Sequence, residues 1–167
     1  FLKSIKVKLF KVASFDIGNL EIINTLSKSS VPTIVSTGMA SIKEIKKVYK
    51  IFNKTKNELV LLHCISSYPN LERNSYLSNI NLMKQKFNCE IGLSDHTNKI
   101  KIPLYAKMLG VKVIEKHFKI SESHRCVDSA VSITKKQMKE LSLELRNIDR
   151  IIGYPKFGIR KCEKNAK

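Results

Sequence analysis

A chain of 167 residues with 43% apolar and 27% charged side chains is long enough for one domain with a buried core. It has no run of about eighteen apolar residues, which argues against a transmembrane helix. Its 31 Lys and Arg against 14 Asp and Glu give a formal charge of +17, but the lysines are spread along the whole chain with no basic tail and no nucleic-acid motif, so a solvated, lysine-biased surface is expected, with neither nucleic acid nor membrane as partner.

From the start, Phe1-Leu-Lys-Ser-Ile-Lys6 has no initiator Met and no apolar signal segment, and reads as the beginning of a fragment. Leu9 to Ser14 predicts a short strand with polar residues at its end. Gly18 to Lys28 carries Leu20, Ile23 and Leu26 at helical spacing. Val31 to Ser36 is the next strand, and Ala40 to Phe52 an amphipathic helix with Ser41 and Glu44 as a capping box. Glu58 to His63 is nearly all apolar, as a parallel strand buried on both faces should be. A helix over Asn74 to Phe87 follows, then a strand running through Ile91-Gly-Leu93 into Ser94. Ile100 to Leu109 predicts a helix, with Pro103 tolerable in its first turn and Gly110 as its cap. A fifth strand, Val111 to Glu115, a polar loop over 119–132 and a last helix over 135–152 complete the pattern. Cys64, Cys89, Cys126 and Cys162 have no Cys-x-x-Cys spacing and read as free thiols of a cytoplasmic protein.

Five successive β-then-α units predict a parallel α/β sheet with right-handed crossovers. Each polar cluster follows a strand: Lys11 and Ser14, Ser36, Ser66 and Tyr68, Ser94 and His96, His117. A (β/α)8 barrel gathers its active site at that C-terminal face, whereas a doubly wound sheet uses one switch point and usually a glycine-rich first turn, which this chain lacks. The expected fold is therefore a TIM (β/α)8 barrel of which only the last five βα units are present, because five strands cannot close eight and would leave two raw edges. Residues 1–152 would form this partial barrel and 153–167 begin a linker.

Two strand tips, Ser94-Asp-His96 and Glu115-Lys-His117, each deliver a histidine near a carboxylate. A lone tip histidine is ordinarily structural, but a pair on neighbouring strands makes a candidate metal site. Asp95 and Glu115 would orient or charge-balance the pair. His63, inside its strand, reads as structural.

Together the strand-end motifs resemble the sialic acid synthase family, the phosphoenolpyruvate-condensing nonulosonic acid synthases. The match is carried by Lys11-Val-Ala-Ser-Phe-Asp16, Pro32-Thr-Ile-Val-Ser-Thr-Gly-Met39, Leu62-His-Cys-Ile-Ser-Ser-Tyr-Pro69, Gly92-Leu-Ser-Asp-His-Thr97, Ile114-Glu-Lys-His-Phe118 and Val127-Asp-Ser-Ala-Val-Ser132. The resemblance implies a metal-dependent transferase that joins phosphoenolpyruvate to an N-acylated amino sugar of the N-acetylmannosamine type. The products would be a sialic-acid-like nonulosonic acid and phosphate. It implies a divalent cation, Mn2+ or Mg2+, on His96 and His117, where a Lewis acid would polarise the sugar aldehyde. It assigns Lys11, Ser14, Ser36, Ser66 and Ser94 to substrate binding, with Lys11 also catalytic. Tyr68 and Asp128 would contact the amino-sugar hydroxyls. Asp16 would orient the attacking water, at a position more often Glu.

By the same resemblance the full-length unit is a homodimer with a C-terminal antifreeze-like domain absent here, so full activity is not expected of these residues alone. Val127-Asp-Ser129 looks closer to a pseudaminic-type branch, while the loop from His63 to Pro69 fits the sialic or legionaminic branches at least as well. The alternatives are another phosphoenolpyruvate-using or metal-dependent aldolase barrel, and a basic nucleic-acid-binding module.

Overall fold

A computed structural model describes residue 2 and residues 4–164. Five strands, β1 (Phe10–Val12), β2 (Thr33–Ser36), β3 (Leu59–Cys64), β4 (Glu90–Asp95) and β5 (Ile114–Lys116), form one sheet in the order β1-β2-β3-β4-β5, with every neighbouring pair parallel. A doubly wound sheet reverses direction at a switch point; unbroken sequential order is the winding of a barrel. The sheet is a curled part of a (β/α)8 barrel. The helices α1 (Leu20–Ser27), α2 (Ile42–Thr55), α3 (Ser78–Lys86) and α4 (Lys101–Met108) fill the crossovers, and α5 (Lys135–Ile152) closes the pattern.

The core lies between the helices and one face of the sheet. Val12, Val35, Leu61, Ile91 and Leu93 face Ile23, Ile45, Val48, Phe52, Ile80, Met83, Ile102 and Ala106. Since side chains alternate along a strand, their neighbours Lys11, Ser36, Leu62, Gly92 and Ser94 point to the barrel axis. Ser41 and Glu44 form the expected capping box, the Glu44 N–H donating to Ser41 Oγ at 3.3 Å and the Ser41 N–H to Glu44 Oε2 at 2.7 Å. Gly110 ends α4 with φ +79°, its N–H donating to the Lys107 carbonyl at 2.8 Å. None of the described helices is long and apolar enough to cross a membrane.

The structure departs from the expected pattern in the fifth strand, the third helix and around the loop over 119–132. The fifth strand starts at Ile114, not Val111, because the Val111 N–H is used in closing α4, donating to the Ala106 carbonyl at 3.2 Å. The third helix starts at Ser78, not Asn74. Residues Glu72–Asn74 form a separate 3-10 turn, and Tyr76, at φ +43°, interrupts any continuation. Two short parallel strands were not anticipated: β6 (Phe118–Lys119) pairs with β7 (Ile133–Thr134), and the Ile133 N–H donates to the His117 carbonyl at 3.0 Å. The last helix is thus entered from its own strand stub, with a second capping box from Thr134 and Gln137. Two-residue strands carry no periodicity to read. After Ile152 the described residues run exposed through 153–164, and 165–167 lie outside them.

Gly92 is required by the strand packing. A Cβ there would stand 2.4 Å from Leu62 Cδ2 and 2.5 Å from the Val113 carbonyl oxygen, and the latter cannot rotate away. Gly92→Ala should therefore cost about 1–3 kcal/mol of unfolding free energy in urea titration. His63 is buried and donates from Nε2 to the Ser75 carbonyl at 2.7 Å. Burial pushes its pKa below the ordinary value and the Ser75 carbonyl only partly restores it. The unfolded chain therefore takes up this proton first, so stability that is full above pH ~6.5 falls as the solution is acidified below it. His63→Gln, which keeps a donor for Ser75, should show a shallower loss between about pH 7 and pH 5 in parallel unfolding curves.

Candidate active site at the strand tips

At the C-terminal ends of the strands lies a cleft of about 350 Å3 lined by Lys11, Ala13, Ser14, Phe15, Ser36, Tyr68, Ser94, His96, Glu115, Lys116 and His117. The ladder sets most of this list. Cys64 stands opposite Ser94, and Ser94 opposite Glu115, so one row of inward side chains crosses β3, β4 and β5. His96 and His117 follow two residues later on the same face. Ser14 reaches the cleft differently. After Val12 the chain leaves the strand into a 3-10 turn over Ser14–Asp16, which buries Ser14 and leaves Phe15 and Asp16 exposed.

One wall of the cleft combines a lysine, a glutamate and serine hydroxyls. Lys11 Nζ lies 3.3 Å from Glu115 Oε2, and Ser94 Oγ donates to Glu115 Oε1 at 2.7 Å. Both members of the ion pair are partly exposed, so the contact is weak. Between them, Ser36 Oγ is buried with no hydrogen-bond partner among the described residues. A desolvated hydroxyl without a partner costs free energy that a bound ligand can recover. Gly38 lets this wall close up. A Cβ at Gly38 would meet Ser66 Oγ at 2.1 Å, Ser14 Oγ at 2.8 Å and Cys64 Sγ at 3.0 Å, while its N–H donates to Ser14 Oγ at 3.0 Å.

The other wall carries the histidines. The rings of His96 and His117 have centroids 5.2 Å apart, and Tyr68 covers both, at 4.1 Å and 5.7 Å. His96 Nδ1 donates to the Ile65 carbonyl at 2.8 Å, and His117 Nδ1 faces Asp128 Oδ2 at 3.4 Å. In each ring Nε2 has no hydrogen-bond partner among the described residues, the pattern of imidazoles whose second nitrogen orients the ring. No group of three or more His, Cys, Asp and Glu side chains able to hold a metal occurs among the described residues. A cation here would thus have two protein donors and several open positions. Burial disfavours charge on His96, but the Cys64 and Ile65 contacts outweigh it and raise its pKa. Burial, then the neighbouring His96, lowers that of His117 and favours its neutral, donor form.

The structure brings together Lys11, Ser14, Ser36, Tyr68, Ser94, His96 and His117 in the cleft. Ser66 borders it through Cys64, at 3.8 Å, and Asp128 through His117. Asp16 is not brought in, because the 3-10 turn points it outward at the rim; the carboxylate inside the cleft is Glu115. Sequence reasoning gave no site role to Cys64, whose Sγ lies 3.4 Å from Ser14 Oγ and 3.8 Å from His96 Nδ1. Its only sequence signal was its place in the strand-end motif Leu62-His-Cys-Ile-Ser-Ser-Tyr-Pro69. A larger hollow, about 550 Å3, lies at the opposite end around Lys28, Lys56 and Glu58, the face of a barrel that serves stability.

The description "NeuB family" belongs to a family model that matches residues 1–156. The chain belongs to the NeuB family. This NeuB-family chain is 37% identical over 160 residues to a pseudaminic acid synthase of Campylobacter jejuni, covering 95% of the chain and 47% of that protein. It is 33% identical over 169 residues to an N,N'-diacetyllegionaminic acid synthase of the same species, covering 99% of the chain and 50% of the relative. Its structure superposes with a TM-score of 0.92 and 37% identity on an N-acetylneuraminic acid (sialic acid) synthetase of Leptospira borgpetersenii, across 99% of this chain and 58% of that one. The chain spans about half the length of the curated relatives it matches. These relatives are nonulosonic acid synthases.

Ser36→Ala removes a buried hydroxyl that has no partner among the described residues. It should leave stability unchanged or raise it by up to about 1 kcal/mol in urea unfolding, the reverse of an ordinary buried serine.

Proposed function

We propose that this chain forms the phosphoenolpyruvate and cation wall of a nonulosonic acid synthase. The observation that carries the reading is the Ser36 hydroxyl, which has no partner among the described residues and is buried in the same cleft as Lys11, Ser94 and the two histidines. Lys11 supplies the cation, and Ser14, Ser36, Ser66 and Ser94 the hydroxyl donors, for the phosphate and carboxylate of phosphoenolpyruvate. On binding, the anion replaces Glu115 on Lys11 and Ser94. Tyr68 and Asp128 hold the hydroxyls of an N-acylated amino sugar in its open aldehyde form. The phosphoenolpyruvate C3 then bonds to the aldehyde carbon, water adds at C2, and the C2–O bond breaks to release phosphate.

His96 and His117 would hold a divalent cation, Mn2+ or Mg2+, through Nε2; when bound, it would supply Lewis-acid polarisation of the aldehyde oxygen. Two oriented imidazoles with open positions suit such an ion. The resemblance gives Asp16 the task of orienting the attacking water. On this turn it stands at the rim, and Glu115 is the carboxylate already within the cleft. The whole enzyme is proposed to be a cytoplasmic homodimer, with the linker after Ile152 leading to a further domain.

The test is calorimetric binding of phosphoenolpyruvate and of Mn2+ to the protein and its variants. Lys11→Met and Ser36→Ala should each weaken phosphoenolpyruvate by roughly 10- to 100-fold, the size of a hydrogen bond to a charged group. His96→Ala and His117→Ala should each abolish measurable Mn2+ binding. Unchanged phosphoenolpyruvate affinity in Lys11→Met, or unchanged Mn2+ affinity without the histidines, would defeat the reading.

A further inference from the structure

We infer that the buried ion pair Asp95–Lys116 is a positioning element that sets the spacing of His96 and His117. Asp95 and Lys116 are the last residues paired in the β4–β5 ladder. His96 and His117 each lie one residue beyond it; the His96 carbonyl accepts from the Asn70 N–H at 2.9 Å and the His117 carbonyl from the Ile133 N–H at 3.0 Å, but neither bond ties one tip to the other.

The pair is built to do that. Lys116 Nζ and Asp95 Oδ2 are 2.7 Å apart, and both side chains are 2% exposed. Asp95 also accepts from the Thr97 N–H at 3.0 Å and from Thr97 Oγ1 at 2.9 Å. Lys116 in turn donates to the Thr97 carbonyl. The residues on either side of His96 are thus both tied to the residue that precedes His117.

Stability alone does not account for this arrangement. On the same outward face, earlier in β4, stand the core residues Ile91 and Leu93. Burying two charges there costs desolvation that their attraction offsets at best, and apolar replacements of such pairs are often neutral or stabilising. Burial lowers the Lys116 pKa, and Asp95 opposes that shift. What the pair offers over an apolar contact is direction: each of its hydrogen bonds fixes the chain at a tip that the ladder no longer reaches.

The consequence for cation binding rests on the two-histidine reading proposed above; the spacing itself does not. The experiment therefore reads both, on Asp95→Asn/Lys116→Met, Lys116→Arg and Thr97→Val. Proton NMR follows ring-to-ring contacts among Tyr68, His96 and His117, and calorimetry follows Mn2+ affinity. The double variant, which removes both charges and keeps volume, should fold, lose the His96–His117 contact and bind Mn2+ roughly 10- to 100-fold more weakly. Lys116→Arg should keep the contact, and Thr97→Val should weaken it. A folded double variant with unaltered ring contacts overturns the inference. Should that variant not fold, unaltered contacts in Thr97→Val overturn it instead. If the unmodified protein binds no Mn2+, the cation reading falls while the ring contacts still decide the clamp.

Discussion

The register of β4 against β5, with Ser94 opposite Glu115 and Asp95 opposite Lys116, is the constraint on which the cleft depends. Because side chains alternate along a strand, one register sends Ser94, His96, Glu115 and His117 to the barrel axis and Asp95, Lys116 and Thr97 to the helix side. A slip of one residue would exchange the two sets. The packing around Gly92 enforces the choice, since no side chain fits between Leu62 and the Val113 carbonyl. So does the buried pair on the outward face, which cannot be moved into the cleft without stranding a charge.

The cleft that results has two chemically different walls that meet at Glu115. Toward β1 and β2 it presents Lys11, the hydroxyls of Ser14 and Ser36 and close backbone approach at Gly38, with Ser94 of β4 bonded to Glu115 beside them. Toward the β4 and β5 tips it presents two imidazoles under Tyr68, each oriented by a contact through Nδ1. Glu115 bonds to Ser94 and Lys11 on the first wall and sits two residues before His117 on the second.

Much of this was legible in order along the chain. The alternation of apolar strands with amphipathic helices predicted a parallel sheet, and the polar residues after each strand predicted the working face. The NeuB-family motifs identified the residues that the cleft then collected. Legibility failed where local pattern carries no information. Val111 looks like strand but is used to close a helix, and β6 and β7 are too short to show a period. Asp16 sits in a cleft motif but is turned out by a single 3-10 turn. Cys64 and Glu115 acquired their partners from other strands, including Ser14 and Lys11 from β1 and the turn after it, which is adjacent to neither.

Sequence alone determined the fold class, the family and which residue types crowd the strand tips, because periodicity and motif order are properties of the linear chain. Tertiary structure decided which of those residues meet. Ser36 has no partner among the described residues, His96 and His117 stand 5.2 Å apart, and Lys116 reaches Asp95 across the ladder, because strands separated in the chain by a crossover helix lie side by side. Such distances follow from register, twist and packing against the helices, none of which a single strand encodes by itself.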